Sequence, residues 1–302
     1  MHVRSPEPDA LPLIITHGYP GSVVEFLNIL GPLTNPRAHG GDPADAFHVV
    51  IPSLPGFGFS TPLCEPGWEI SRTAKAWAEL MRRLGYDRYG AQGGDIGSGV
   101  SGTLGRIAAD HVVGVHVNTD PTAIALIGMP IPSDPDELAA LSESERLRLE
   151  RLRQLQKEGQ GYLQIQSTRP QTLAYGLTDS PTAQLAWIAE KFQEWTDKTA
   201  DLPDGVDRDQ MLTNISIYWF TRTGASAANF IYEAAHVAQD WSPSSVPQGM
   251  AAFGADATTR RMIDPGHNIV HWSEFERGGH FAAMEAPDLL VGDVRAFFRP
   301  LR

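Results

Sequence analysis

Cysteine is almost missing from this chain, since Cys64 is the one cysteine among 302 residues. No disulfide can form within such a chain, and this composition is typical of a protein from a reducing compartment. Long apolar runs are also missing, because no stretch approaches the roughly 20 residues that a membrane-spanning helix needs. Residues 1–6 lack the apolar core of a signal peptide. We therefore expect a cytoplasmic protein without a membrane span.

Basic residues are few relative to acidic ones, with 24 Lys and Arg against 36 Asp and Glu and a net charge of −12. This balance disfavours a nucleic-acid partner, which would need a positively charged surface. Hydrophobic residues make up 42% of the chain, which is ordinary for a globular protein with an apolar core. The length suits one large α/β domain with an inserted subdomain.

Short apolar runs alternate with helix-like segments through the first part of the chain. Residues 11–16, 47–51 and 112–117 predict buried strands. Residues 71–84 predict an amphipathic helix, for which Ser71 is the expected N-cap. Strands that alternate with helices indicate a mostly parallel sheet with helices on both of its faces.

The alternation stops after Asn118, and residues 121–239 predict mostly helices. A charged run at 142–151 within this segment is typical of a solvated helix face. Strands resume at residues 249–253 and around 268–275, before a closing helix from about Pro287 to Phe298, with the proline at its start. We therefore expect a helical cap inserted into the sheet domain. The predicted division is a first part of the core at 1–120, a cap at 121–239 and a second part of the core at 240–302.

The residues 93–97, with the sequence Gly-Gly-Asp-Ile-Gly, lie between a strand-like run and a helix-like run. Small residues around a central nucleophile at such a turn are typical of the nucleophile elbow of the α/β-hydrolase fold. The turn is too tight for bulky neighbours, and glycine tolerates its strained backbone. The central residue is Asp95, and a carboxylate can attack an electrophilic carbon to form an alkyl ester. This chemistry favours epoxide opening or halide displacement.

Two further loops carry residue types that complete such a site. Residues 17–20 follow the first strand and predict an oxyanion hole, formed by the backbone N–H groups of Tyr19 and Ile96. Residues 277–281 contain Gly-Gly-His near the C-terminus, which predicts that His280 is a general base on a loop. The chain order of nucleophile, acid and histidine supports this choice among the ten histidines.

Two acids are candidates to orient His280. Asp256 follows the strand predicted at 249–253, and loops at the carboxyl edge of parallel strands face the site. Asp264 precedes a proline and is typical of a turn. We therefore favour Asp256, with Asp264 as the alternative.

Taken together, these motifs resemble the α/β-hydrolase-fold epoxide hydrolases, specifically the microsomal type, over nearly the whole chain. The resembling segments are 17–22, 52–60, 94–97, 161–172, 179–181, 187–192, 218–232, 246–256 and 277–285. The resemblance implies an enzyme that needs no cofactor or metal and converts a small-molecule epoxide into a vicinal diol. It also selects two cap tyrosines, Tyr162 and Tyr232, which periodicity alone does not separate from packing residues.

The resemblance assigns a role to each residue. Asp95 is the expected nucleophile, and Tyr162 and Tyr232 are the expected proton donors to the epoxide oxygen. His280 is then the base that activates water, and Asp256 rather than Asp264 is the acid that holds its imidazole.

The chain departs from this family at its start, because 16 residues precede His17 where members usually carry a long N-terminal segment and two strands. Either the sequence begins inside a longer gene product or the protein lacks these parts, with residues 1–5 as the end of the second strand. An uncovered sheet edge promotes pairing, so a homo-oligomer is an open alternative.

Two other functions remain open on the sequence alone. A haloalkane dehalogenase shares the aspartate nucleophile, but it typically has a tryptophan beside that residue, where this chain has Ile96. A non-catalytic ligand-binding protein on the same fold is the second alternative. The complete set of acid and base residues disfavours it, because a degraded site is expected to have lost at least one of them.

Overall fold

The computed structural model describes residues 1–119, 138–198, 205–238, 240, 242 and 244–302. The strands in these ranges are β1 (His2–Val3), β2 (Leu11–Thr16), β3 (Phe47–Val50), β4 (Tyr89–Gly93), β5 (Val112–Val117), β6 (Gln248–Ala252) and β7 (His271–Glu274). They form one sheet in the order β1-β3-β2-β4-β5-β6-β7. β1 pairs with β3 in antiparallel fashion, and every other neighbouring pair in this sheet is parallel. The predicted mostly parallel sheet is therefore confirmed.

Within the described ranges, the helices of eight or more residues are α1 (Leu27–Thr34), α2 (Ile70–Arg83), α3 (Ile96–Ile107), α4 (Glu143–Glu158), α5 (Gly161–Thr168), α6 (Pro170–Asp179), α7 (Pro181–Trp195), α8 (Arg208–Thr221), α9 (Gly224–Ala235) and α12 (Pro287–Phe298). Two shorter ones are α10 (Arg260–Ile263) and α11 (Ala282–Glu285). Helices α4 to α9 come between β5 and β6 in the chain. Among the described helices, none is both long and apolar enough to cross a membrane. The predicted boundaries at 120 and 239 lie outside the described residues, so the division into core and cap stays a prediction.

The central strands are apolar on both sides because both faces of the sheet are covered. Leu13 and Ile15 of β2 belong to one buried cluster, which includes Phe298 of α12. Ile14 points to the opposite face and belongs to a second cluster with Val100 of α3. Side chains alternate between faces along a strand, so a run such as 11–16 is continuously apolar when helices cover both faces.

The N-terminus of α2 differs from the prediction. Glu69, and not Ser71, is the N-cap, and its carboxylate accepts hydrogen bonds from the N–H groups of Ser71 (2.7 Å) and Arg72 (2.8 Å). A carboxylate satisfies two free N–H groups at once and its negative charge suits the positive end of the helix dipole. The assignment of Ser71 as the cap was therefore wrong by two residues.

The charged run at 142–151 is only in part the solvated face that the pattern predicts. It begins helix α4, and Arg148 within it is buried, with its guanidinium donating to the carbonyl of Thr258 at 3.1 Å. Arg151 likewise donates to the carbonyl of Gly254. The loop after β6 presents carbonyl oxygens that need donors, and both guanidinium groups reach it, although Arg148 alone of the two is buried and Arg151 remains exposed.

Candidate active site

The strained turn between β4 and α3 carries Asp95, whose backbone has a φ of 53° and a ψ of −128°. A positive φ at a residue other than glycine costs about 1–3 kcal/mol and persists only where the surroundings enforce it. Here the start of α3 packs tightly against the end of β2, because a Cβ on Gly97 would lie 1.9 Å from the carbonyl oxygen of Thr16. The absence of a side chain at Gly97 lets α3 begin directly against β2.

One oxygen of the Asp95 carboxylate is held by two backbone donors. The N–H of Tyr19 donates to Oδ1 at 2.8 Å and the N–H of Ile96 donates to the same atom at 2.7 Å. The loop can approach this closely because residue 18 is glycine, where a Cβ would lie 2.3 Å from the same oxygen. The two donors predicted for an oxyanion hole thus converge on Oδ1, and Oδ2 remains available.

His280 faces this second oxygen, with 3.5 Å between its Nε2 and Asp95 Oδ2. Its ring packs against Trp195, with 4.9 Å between the ring centroids, and against Phe281 at 5.0 Å. Catalytic contacts in a substrate-free site are often longer than an ideal hydrogen bond. The geometry therefore allows His280 to act on a group bonded to Oδ2.

Asp256 lines the same cavity as Asp95 and His280. Its Oδ1 accepts a hydrogen bond from the N–H of Thr258 at 2.9 Å. The N–H of Ala255 donates to the carbonyl of Gly278 at 2.9 Å, which holds this turn beside the loop of His280. Among the described residues, no hydrogen bond joins the Asp256 carboxylate to the His280 ring. The two predicted partners therefore share one cavity but are not hydrogen-bonded to each other.

The alternative acid, Asp264, is buried and engaged in its own turn. Its carboxylate accepts hydrogen bonds from the N–H groups of Asn268 (2.6 Å) and Ile269 (3.1 Å), and Arg260 pairs with it at 3.3 Å. It is not among the described residues that line the cavity. These contacts fit the turn that the Asp-Pro sequence indicates.

Tyr162 lies on α5, one of the helices between β5 and β6, and lines the cavity. Its ring is parallel to that of Tyr19, with centroids 6.3 Å apart and 5° between the planes, and it contacts Trp195 at 5.2 Å. Burial, and then the nearby charge of Asp95, raise the pKa of the Tyr162 phenol well above its ordinary value. The phenol therefore stays protonated at neutral pH, as a proton donor must.

Tyr232 is placed differently from Tyr162. It lies on α9, which packs against α5, and its ring stacks on that of His236 with 4.1 Å between centroids. It is not among the described residues that line the cavity with Asp95. The structure thus brings six of the seven predicted residues together, four in the cavity lining and two as backbone donors to Asp95, whereas Tyr232 lies on the neighbouring helix α9.

The cavity has a volume of about 580 Å³, which is sufficient for a small organic ligand. The wall formed by residues between β5 and β6 combines apolar surface from Leu152, Leu155 and Trp195 with the charged side chains of Glu158 and Lys198. Within the described ranges, no three His, Cys, Asp or Glu side chains are grouped as metal ligands. The lining is suited to an apolar molecule that carries a reactive centre near Asp95.

Sequence reasoning passed over three buried groups near this site. Lys191 is 3% exposed and pairs with two acids of α7, Glu190 at 2.5 Å and Glu194 at 2.9 Å. Burial raises the pKa of Glu25 to about 8 and that of Glu285 to about 7. Lys191 and Glu285 fall inside the segments that resemble the epoxide hydrolases, which was the available signal, whereas nothing in the local pattern distinguishes Glu25.

His17 has a structural role. The N–H of Leu54 donates to its Nε2 at 3.1 Å, so Nδ1 carries the proton and donates to the carbonyl of Gly18 at 2.9 Å. Burial lowers the pKa of His17 to about 4, which keeps the ring neutral. The imidazole thereby joins the oxyanion loop to the loop at 52–60.

Comparison with known proteins agrees with this geometry. The alpha/beta hydrolase fold family matches residues 12–136. A Stigmatella aurantiaca protein provisionally named an epoxide hydrolase is 44% identical, over 100% of this chain and 67% of its own length. Epoxide hydrolase 1 of Sus scrofa is 34% identical, over 98% of this chain and 70% of its own. The structure of Aspergillus niger epoxide hydrolase, at 33% identity, superposes with a TM-score of 0.83 over 100% of this chain and 75% of that one.

Proposed function

This chain belongs to the epoxide hydrolases of the α/β-hydrolase fold, and we propose that it opens an epoxide to a vicinal diol through a covalent ester on Asp95. The observation that carries the proposal is that the two oxygens of the Asp95 carboxylate have different partners. Oδ1 is bonded by the N–H groups of Tyr19 and Ile96, whereas Oδ2 faces His280. One oxygen is held where an oxyanion would form, and the other is left to attack.

The first step is alkylation of the enzyme. Asp95 Oδ2 attacks one epoxide carbon, the bond from that carbon to the epoxide oxygen breaks, and the resulting alkoxide takes a proton from a phenol. Tyr162 is the principal donor in this proposal, and Tyr232 is the second. An alkoxide is a stronger base than a phenolate, so the transfer is favourable even though burial raises the pKa of Tyr162.

The second step is hydrolysis of the ester. His280 takes a proton from a water molecule, and the hydroxide attacks the carbonyl carbon of the Asp95 ester. Negative charge then develops on Oδ1, which already accepts hydrogen bonds from Tyr19 and Ile96. Loss of one such donor typically costs about 10²–10³ in rate. The bond from the carbonyl carbon to Oδ2 breaks, and Oδ2 takes the proton from the His280 imidazolium and leaves as part of the diol. The water oxygen stays in the carboxyl group, whose remaining proton returns to the phenolate formed in the first step, so that Asp95, His280 and the phenol are restored.

Asp256 has the supporting role in this step. Its turn lies beside the loop of His280 through the hydrogen bond from Ala255 to Gly278, and its carboxylate lines the same cavity. A carboxylate in the same cavity stabilises the imidazolium that forms when His280 takes the proton. We therefore assign Asp256 as the acid partner of His280.

A labelling experiment tests the covalent route. Enzyme in excess over styrene oxide reacts for one turnover in ¹⁸O-water, and the diol and the peptide that contains Asp95 are analysed by mass spectrometry. We expect an unlabelled diol and label in the peptide, because the product oxygen comes from the carboxylate. Asp95→Ala should abolish turnover. A labelled diol in the first turnover would show direct attack of water on the epoxide and reject the mechanism.

A further inference from the structure

Two backbone N–H groups of the His280 loop, residues 277–281, are held by the end of the cap helix α7. The N–H of Gly278 donates to the Asp197 side chain, at 2.9 Å from Oδ2. The N–H of His280 itself donates to the carbonyl of Trp195 at 3.1 Å. The backbone on which the imidazole is carried thus takes its acceptors from the segment 195–197, which is distant in sequence and belongs to the helical insertion.

A third N–H group of the same loop is held by a buried carboxylate. Phe281 donates to Glu285 Oε1 at 2.9 Å. Glu285 Oε2 accepts from the N–H of Asp197 at 2.7 Å. Glu285 therefore binds the His280 loop and the segment 195–197 at the same time, and the N–H groups of Gly278, His280 and Phe281 each have an acceptor in one of them.

We propose that Glu285 and Asp197 are positioning residues for His280, which hold the loop and the end of the cap helix in the arrangement that sets the imidazole beside Asp95. This inference rests on the proposed function, because it takes His280 as the base that hydrolyses the ester. Both carboxylates are buried. Hydrogen bonds from backbone N–H groups to a buried carboxylate are strong, and they hold the backbone firmly because a buried N–H without an acceptor is costly.

The consequence differs between the two steps of the reaction. His280 acts only in hydrolysis, and a displacement of a catalytic group by about 1 Å can cost on the order of 10²-fold in rate. Alkylation depends on Asp95 and on the tyrosines, which the His280 loop does not carry. Loss of the positioning contacts should therefore slow hydrolysis much more than alkylation.

A surface contact on the same loop provides the matched control. Arg277 pairs with Asp288 at 2.5 Å, and the two side chains are 47% and 65% exposed. Exposed ion pairs contribute little, so Asp288→Asn should leave both steps unchanged. The comparison separates a general disturbance of the loop from loss of its buried acceptors.

The test measures both steps in Glu285→Gln, Asp197→Ala, Asp288→Asn and the wild type. Glutamine keeps the size of the side chain but turns an NH₂ group toward the N–H donors. Each enzyme is mixed with styrene oxide and quenched at intervals, and mass spectrometry of the intact protein follows formation and decay of the ester. For Glu285→Gln we expect decay slower by about tenfold or more, formation within about twofold, and accumulated adduct. Asp197→Ala should change the same step in the same direction.

His280→Gln distinguishes failure of this inference from failure of the proposed function. If His280→Gln accumulates no ester, the covalent mechanism falls and the inference falls with it. If it does accumulate ester, wild-type decay in either folded variant, Glu285→Gln or Asp197→Ala, overturns the inference alone. Equal slowing of both steps would also overturn it, because it would indicate a purely structural role. Asp197→Ala is independent of Glu285→Gln, so the test stands if one variant does not fold.

Discussion

The ammonium group of Lys191 lies over the ring of Tyr162, with 4.8 Å between Nζ and the ring centroid. The lysine is almost fully buried, and its partners Glu190 and Glu194 are 56% and 46% exposed. A desolvated cation over an aromatic ring is a strong contact. In the proposed mechanism this charge would also stabilise the phenolate that forms when Tyr162 gives up its proton.

We predict that Lys191→Met slows alkylation by about tenfold, because the cation no longer stabilises the phenolate that forms as Tyr162 gives up its proton. Tenfold corresponds to about 1.4 kcal/mol of transition-state stabilisation. Ester hydrolysis should change little, since Tyr162 acts in the first step. Single-turnover formation of the ester measures the effect. In a Tyr162→Phe background the substitution should have little further effect, whereas an undiminished loss there would show that Lys191 does not act through the phenol.

The two cap tyrosines should differ in importance. Tyr162→Phe is expected to slow alkylation by about 10²–10⁴, the usual cost of losing a positioned acid. Tyr232→Phe should slow it less, because Tyr232 stacks on His236 and is not among the described cavity residues. The double variant should have almost no activity in the same single-turnover assay. A double variant that formed ester at the wild-type rate would refute both assignments.

His280→Gln should leave alkylation intact and prevent decay of the ester, because the imidazole is needed only to activate water. The intact protein should gain the mass of the epoxide and keep it over many minutes. Normal steady turnover with no adduct would remove His280 from the mechanism.

Substitution of the two candidate acids, Asp256 and Asp264, should have different effects. Asp256→Asn is expected to slow ester decay, whereas Asp264→Asn should have a mild effect on kinetics and lower the free energy of unfolding. The reason is that Asp264 holds the N–H groups of Asn268 and Ile269 within its own turn. Ester decay and denaturant midpoints are measured for both variants. The reverse ranking would transfer the role to Asp264.

Glu25 should make the protein less stable as the pH rises. Burial, with the charges of Asp95 and Glu285, raises the pKa of Glu25 from 4.5 to about 8. The unfolded chain therefore ionises first, and the free energy of unfolding falls between about pH 4.5 and 8. Glu285, with a pKa of about 7, acts in the same direction.

Glu25→Gln should remove part of this slope. Urea midpoints at about pH 5 and about pH 8.5 should differ less in the variant than in the wild type, because glutamine does not ionise. Identical slopes in the two proteins would show that Glu25 is not the group responsible.

Much of the fold follows from local sequence pattern. β2 and β5 have the bounds that their apolar runs predict, and α12 begins at the predicted proline. These features are local because side-chain burial on both faces of a strand, and the geometry of a helix start, involve residues a few positions apart. The elbow around Asp95 is also a local feature, because the small residues that it needs are adjacent to Asp95 in sequence.

The tertiary structure decided which groups meet at the site. Three contacts join residues that are separated in the chain. Asp95 faces His280, Lys191 lies over the ring of Tyr162, and Glu285 accepts hydrogen bonds from two segments. Periodicity did not separate Tyr162 from Tyr232, and it did not distinguish a buried Arg148 from its solvated neighbours. Burial and ionisation depend on what packs against a side chain from elsewhere, and a local pattern carries no information about that partner.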